Sequence, residues 1–115
     1  MIVGRGEIYL VIFDPTRGNE INKTRPALII QNDTGNKFSP LTIVAPIGSI
    51  KGHTKKYPTD VWVTPSESGL PVKSRVMLSQ IRTVDKDQRL VKKVGQLTPK
   101  KMTEVDDAIR ISLAL

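Results

Sequence analysis

A chain of 115 residues with no cysteine has no disulfides, thiolate metal sites or cysteine nucleophiles, yet it is long enough to bury one core unaided. Hydrophobic residues at 38% and charged residues at 25% describe a folded globule rather than a disordered chain, and the lone histidine, His53, excludes a multi-histidine metal site. A net charge of +7 points to an anionic partner, nucleic acid first and an acidic protein second, with a solvated surface that has no partner as the plainer alternative. The longest apolar runs, Ile8 to Phe13 and Ala27 to Ile30, are too short to cross a bilayer, and nothing at the N-terminus resembles a signal peptide. The expectation is a single cytoplasmic domain over residues 1–115, without membrane contact, metal or cofactor.

In chain order, alternation and β-branched enrichment predict strands over Glu7 to Phe13, Ala27 to Asn32, Leu41 to Pro46, Asp60 to Thr64, Arg75 to Thr83 and Leu90 to Gly95. The stretches DPTRGNEINKTRP, NDTGNKFSP and IGSIKGHTKKYP between them are rich in Gly, Pro, Asn and Lys and read as long loops, where function concentrates. A short helical turn over Asn32 to Phe38 is weakly signalled. SESGLPVKS, residues 66 to 74, reads as a connection without chemistry. At the end Thr98 is a cap and Pro99 suits the first helical position, followed by Met102, Val105, Ile109 and Leu113 at helical spacing. This phasing puts Asp106 and Asp107 on the solvent side. Short strands, Gly/Pro-rich turns and one amphipathic helix together predict a mainly β fold, a small bent antiparallel barrel or sandwich with a C-terminal helix.

Candidate chemistry centres on Arg25-Pro26. Proline biases the preceding residue toward an extended backbone, so the guanidinium is presented stiffly, and its planar fork of donors suits a phosphate. The plainer reading is a surface arginine at a strand edge. Glu20 precedes it by five residues, either as an exposed salt-bridge partner or as a base beside a phosphate clamp. Ser49 and His53 lack a third orienting group and the GxSxG elbow, which argues against serine hydrolase chemistry; His53 reads as a solvated loop residue, with a general acid/base role as the alternative. GSIKG, residues 48 to 52, lacks the spacing of a phosphate loop, and Asp85 and Asp87 around Lys86 read as a solvated turn.

RGEIYLVIFDPTRGNEINKTRPALIIQND, then GNKFSPLTIVAPI, VMLSQIRTVDKDQRL and VDDAIRISLAL, closely resemble the MazF/PemK family of toxin endoribonucleases over essentially the whole chain. The resemblance implies an SH3-like β-barrel with added helices and a homodimer that cleaves single-stranded RNA at short motifs without metal. It also implies an antitoxin whose acidic, flexible segment covers the RNA groove. By position it makes Arg25 the catalytic arginine, puts Glu20 near the scissile site, and assigns Asn32 and Gln80 to RNA. The family's catalytic threonine follows V-x-x-I, where this chain has Gly48, so the hydroxyl is expected from Ser49, one place later. Ser79 stands where some relatives have an acidic residue before the glutamine.

Metal-free cleavage uses the substrate 2′-OH as nucleophile and needs a base, an acid and groups that stabilise the phosphorane. Arg25 and Ser49 suit stabilisation; for the base, Glu20 is chemically better than a guanidinium, which holds its proton tightly, and the sequence leaves both open. Affinity is expected from loop residues Arg17, Asn19, Lys51, Lys55 and Lys56, and base recognition from Asn32 and Gln80. The alternative is a barrel of the same fold that only binds nucleic acid or poisons gyrase.

Overall fold

In the computed structural model, which describes residues 1–115, β1 (Glu7–Ile12) is apolar at nearly every position because both of its faces are covered. Ile8 joins one buried cluster with Leu28, Ala45, Ile47 and Val76. Tyr9 and Val11 join a second with Phe13, Ala27, Ile29, Val44 and Val84. The flanking strands are β2 (Thr24–Ile29) and β7 (Leu90–Gln96), both antiparallel to β1. With β3 (Leu41–Ser49), β4 (Asp60–Val63), β5 (Ser74–Met77) and β6 (Arg82–Asp85) they form a seven-stranded sheet ordered β4-β5-β3-β2-β1-β7, with β6 alongside β3. β4 and β7, at the two ends of that order, do not pair, so the expected small antiparallel barrel is present in open form. No helix is long and apolar enough to cross a membrane.

β3 organises the sheet. Its Val44 to Pro46 pair with β2, while Leu41 to Val44 pair with β6 and Ile47 to Ser49 with β5. The sequence predicts one strand over Arg75 to Thr83; the structure breaks it into β5 and β6 around a 3-10 turn at Leu78–Gln80. Moving three residues along β3, from Ile47 to Val44, takes six along the partner, from Val76 to Arg82, so three residues are looped out. Leu78 holds the loop down: its side chain is fully buried, its N–H donates to the Thr59 carbonyl at 2.9 Å, and its carbonyl accepts from the Ser112 hydroxyl at 2.8 Å.

β2 starts earlier and ends sooner than the predicted Ala27 to Asn32. Arg25 therefore sits inside the strand, opposite Val11, and not at its mouth. Asn32 leaves the strand to cap α1 (Asp33–Phe38), which confirms the weak helical signal there. Two four-residue turns, α2 (Pro65–Ser68) and α3 (Lys86–Arg89), follow β4 and β6, so residues 66 to 74 are not wholly a loop.

α4 (Pro99–Leu113) begins as its sequence dictates, with the Thr98 hydroxyl accepting from the Lys101 N–H at 3.3 Å and Pro99 in the first turn. Val105 and Ala108 bury into the first cluster, against which Met102 and Ile109 also pack. Leu113 stays exposed. Asp106 is not simply solvated: it accepts from Arg5 Nη2 at 2.6 Å, while the exposed Asp107 pairs with Arg110. The helix thus covers one side of the sheet and leaves the far part of the other side free.

Candidate active site and nucleic-acid interface

The open side of the sheet changes character along β2. Ala27 and Ile29 bury into the second cluster, and two residues before Ala27 on the same face stands Arg25, half-buried beneath its guanidinium. Pairing with β3 begins at Ala27↔Pro46, just past Pro26, which has no N–H to give. Where that pairing stops, β3 takes β5 as partner and a hollow of about 230 Å³ opens, lined by Arg25, Pro26, Gly48, Ser49, Pro71 and Ser74 among others. Arg25 Nε donates to the Asn22 carbonyl at 2.8 Å, which fixes the side chain and leaves its two terminal nitrogens for a ligand.

Ser49 closes β3 opposite Ser74 and is exposed. Arg25 and Ser49, paired by the sequence reading, therefore line one hollow. Gly48, at the place where the resemblance expects a hydroxyl, lies on the alternate face of β3 from Ser49. A Cβ at Gly48 would meet only Met77 Cε, at 3.5 Å, so packing does not demand a glycine there.

Glu20 lines a different and larger cleft of about 480 Å³, with Thr16, Ile21, Ser79, Gln80 and Arg82. The looped-out turn between β5 and β6 delivers Gln80 to it. Gln80 Oε1 accepts from the Ile21 N–H at 3.0 Å, and Glu20 Oε1 accepts from the Arg17 N–H at 2.6 Å. Arg82 donates to the Phe13 carbonyl at 2.7 Å and lies over the Phe13 ring, 5.9 Å from its centre. The segment from Glu20 to Arg25 joins the two hollows, fastened to Gln80 at Ile21 and to Arg25 at Asn22. Glu20 is the only carboxylate lining either, and no histidine lines them. Arg82, Thr16 and Ser74 were not singled out from the sequence; the register of β3 with β5 and β6 brings in Ser74 and Arg82, and the course of the β1–β2 loop brings in Thr16.

The remaining predicted residues spread outward. Arg17 and Asn19 are exposed on the β1–β2 loop beside the larger cleft. Lys51, Lys55 and Lys56 are exposed on the β3–β4 loop, where Lys55 lies over Tyr57 and Lys56 over Trp62, each 5.6 Å from the ring centre. His53 is exposed in the same loop. Asn32 lines neither hollow, and its Oδ1 is spent accepting from the Gly35 N–H at 2.7 Å at the start of α1. Beside it, the Arg5 N–H donates to Asp33 at 2.7 Å and holds that carboxyl below the usual range.

Known proteins resemble this chain in both sequence and fold. The chain is 45% identical over 115 residues to "Endoribonuclease EndoA" of Bacillus subtilis, covering 100% of this chain and 97% of that protein. It is 49% identical over 112 residues to "Endoribonuclease MazF" of Staphylococcus saprophyticus, covering 96% and 91%. Among solved structures, MazF from Deinococcus radiodurans superposes with a TM-score of 0.84 at 23% identity, covering 100% of this chain and 99% of that one. A mycobacterial endoribonuclease in complex with its cognate antitoxin superposes with a TM-score of 0.80 at 24% identity, covering 98% and 96%. Residues 4–113 match the family described as "PemK-like, MazF-like toxin of type II toxin-antitoxin system", and with relatives this similar over its full length the chain belongs to that family.

Proposed function

We propose that the protein is a metal-independent endoribonuclease of a type II toxin–antitoxin system, cutting single-stranded RNA at a short sequence motif. The observation that carries the reading is the convergence of Arg25 and Ser49 on one hollow, next to a cleft that holds Glu20 and Gln80. A phosphate in the smaller hollow meets the free end of the Arg25 guanidinium and the Ser49 hydroxyl, donors suited to the charge that accumulates on the non-bridging oxygens. The base 5′ or 3′ of it extends into the larger cleft, where Gln80 and Arg82 offer hydrogen-bonding edges.

Cleavage then proceeds by attack of the 2′-oxygen on the adjacent phosphorus. Glu20 takes the 2′ proton, the P–O5′ bond breaks, and the products are a 2′,3′-cyclic phosphate and a 5′-hydroxyl. The departing 5′-oxygen is stabilised by Arg25 N–H groups and protonated from that side, with solvent restoring the guanidinium. Lys51, Lys55, Lys56 and Arg17 hold the flanking backbone. The protein acts in the cytoplasm as a homodimer, and the same basic face receives the acidic segment of a cognate antitoxin; the net charge of +7 supports that partner.

The test is incubation with a long single-stranded RNA in excess EDTA, beside Arg25→Ala, with cut sites and end groups mapped. Discrete cuts ending in cyclic phosphate, reduced at least about a hundredfold in the variant while RNA binding persists, are expected. Intact RNA with the wild type defeats the ribonuclease reading in favour of a binder or a gyrase poison.

A further inference from the structure

On the open face of the sheet the registers line up four residues across four strands. Arg75 on β5 is the Cα partner of both Gly48 on β3 and Trp62 on β4. Continuing the β2–β3 register two residues past Ala27↔Pro46 brings Arg25 opposite Gly48. Arg25 and Gly48 line the smaller hollow, and Arg75 stands just beyond it, next along the same row. The row Arg25–Gly48–Arg75–Trp62 thus carries two guanidinium residues flanking a glycine, with Lys56 over the Trp62 ring at its end. Adjacent strands are about 4.8 Å apart, so the two arginine Cα atoms stand about 10 Å apart, a span that two extended guanidinium side chains close onto one phosphate.

The notch between them is not a packing necessity, since a side chain at Gly48 would touch only the Met77 methyl. Arg75 is also underused. One of its terminal nitrogens reaches Asp60 at the long distance of 3.4 Å, the other has no protein partner, and its Nε is buried without one. Asp60 meanwhile accepts from the Tyr57 N–H and is not dependent on Arg75 alone.

We propose that Arg75 is a second phosphate-binding residue of this site, gripping the RNA backbone across the Gly48 notch from the side opposite Arg25. The proposal rests on the RNA reading above. It makes Asp60 a competitor for the guanidinium, and it sets the direction of the RNA backbone across the strands, from Arg25 past Arg75 toward Lys56.

The experiment measures binding of an RNA whose 2′-hydroxyls are replaced by hydrogen at the mapped cut site, or throughout if no cut is found, as a function of salt. Arg75→Met, which keeps the aliphatic stem, is expected to bind about tenfold more weakly and to lower the slope of log K against log salt by about 0.7, the share of one phosphate contact on a single strand. Asp60→Asn, which frees Arg75, is expected to bind more tightly than the wild type. Arg75→Lys keeps most of the salt slope. A purely structural Arg75–Asp60 pair moves both variants toward weaker binding, and that result overturns the proposal, as does an unchanged slope in Arg75→Met. Melting temperatures of each variant separate misfolding from lost contact. A wild type that binds without cutting defeats the ribonuclease reading and leaves the opposed shifts to decide on Arg75; a wild type that does not bind overturns both.

Discussion

Asp33, exposed, and Glu67, half-buried, are carboxylates placed to receive backbone N–H groups, from Arg5 and Thr64 respectively, and those hydrogen bonds hold both below the ordinary carboxylate range. A carboxylate with a depressed folded-state value stabilises fully above its unfolded value, about pH 4, and loses that contribution as pH falls through the folded one. The melting temperature of the wild type minus that of Asp33→Asn is therefore positive at neutral pH and shrinks as pH falls below about 4. A difference that stays constant down to pH 2 refutes the assignment. At this scale the sequence was informative where a residue constrains its own backbone. Arg25 before Pro26, Thr98 before Pro99 and Asn32 at a loop start each do so, and the structure holds all three in defined places. Gly48 and Arg75 were silent, because their meaning lies in which strand stands beside them, and pairing between distant strands is not written into either residue's neighbours.

Among the elements, the break between β5 and β6 is what the alternating pattern concealed. Val76 and Leu78 both point into the first cluster, so the period of two runs straight through the 3-10 turn and mimics one long strand. The turn is nevertheless what brings Gln80 to Glu20, and it depends on α4 through the Ser112 hydroxyl. Ser112→Ala leaves the Leu78 carbonyl short of a partner, costing about 1 kcal/mol. It is also expected to blur the cleavage motif more than it slows cleavage, read by sequencing the cut ends; an unchanged motif removes Ser112 from recognition. β7 offers a second check. A Cβ on Gly95 would lie 2.1 Å from the Ser68 carbonyl oxygen, so Gly95→Ala has to push α2 off the sheet, at a cost of about 2 kcal/mol in chemical denaturation. Unaltered stability means that α2 moves away freely.

For the molecule as a whole, charge sets the interaction and fold only sets its shape. On the proposed reading the cations of the β1–β2 and β3–β4 loops and of the row ending at Lys56 face RNA, so affinity for single-stranded RNA is expected to fall steeply with salt. The four flanking cations alone contribute about −3 to the log–log slope, and Lys55→Ala with Lys56→Ala reduces it by about 1.4. Titration by fluorescence anisotropy between low and physiological salt decides; a flat dependence means that the lysines do not touch the backbone. The mainly β architecture, the C-terminal helix and most strand positions were legible because apolar periodicity reports which faces are covered. The division of the site into two hollows was not, since it follows from β3 exchanging one partner for another midway along its length.

The tie between Ser112 and Leu78 also bears on the order in which a cell makes the protein. Every strand leaves the ribosome before α4, yet the first cluster stays uncovered until Val105 and Ala108 arrive, and the turn bearing Gln80, tied already to Thr59 through Leu78 and to Ile21 through Gln80, gains its last hydrogen bond only when Ser112 does. On the proposed reading, a nascent chain thus has Arg25 and Ser49 in place before the turn that carries Gln80 is complete. Chains stalled short of residue 105 are expected to leave RNA uncut, which keeps the toxin harmless to the message and the ribosome that are still producing it.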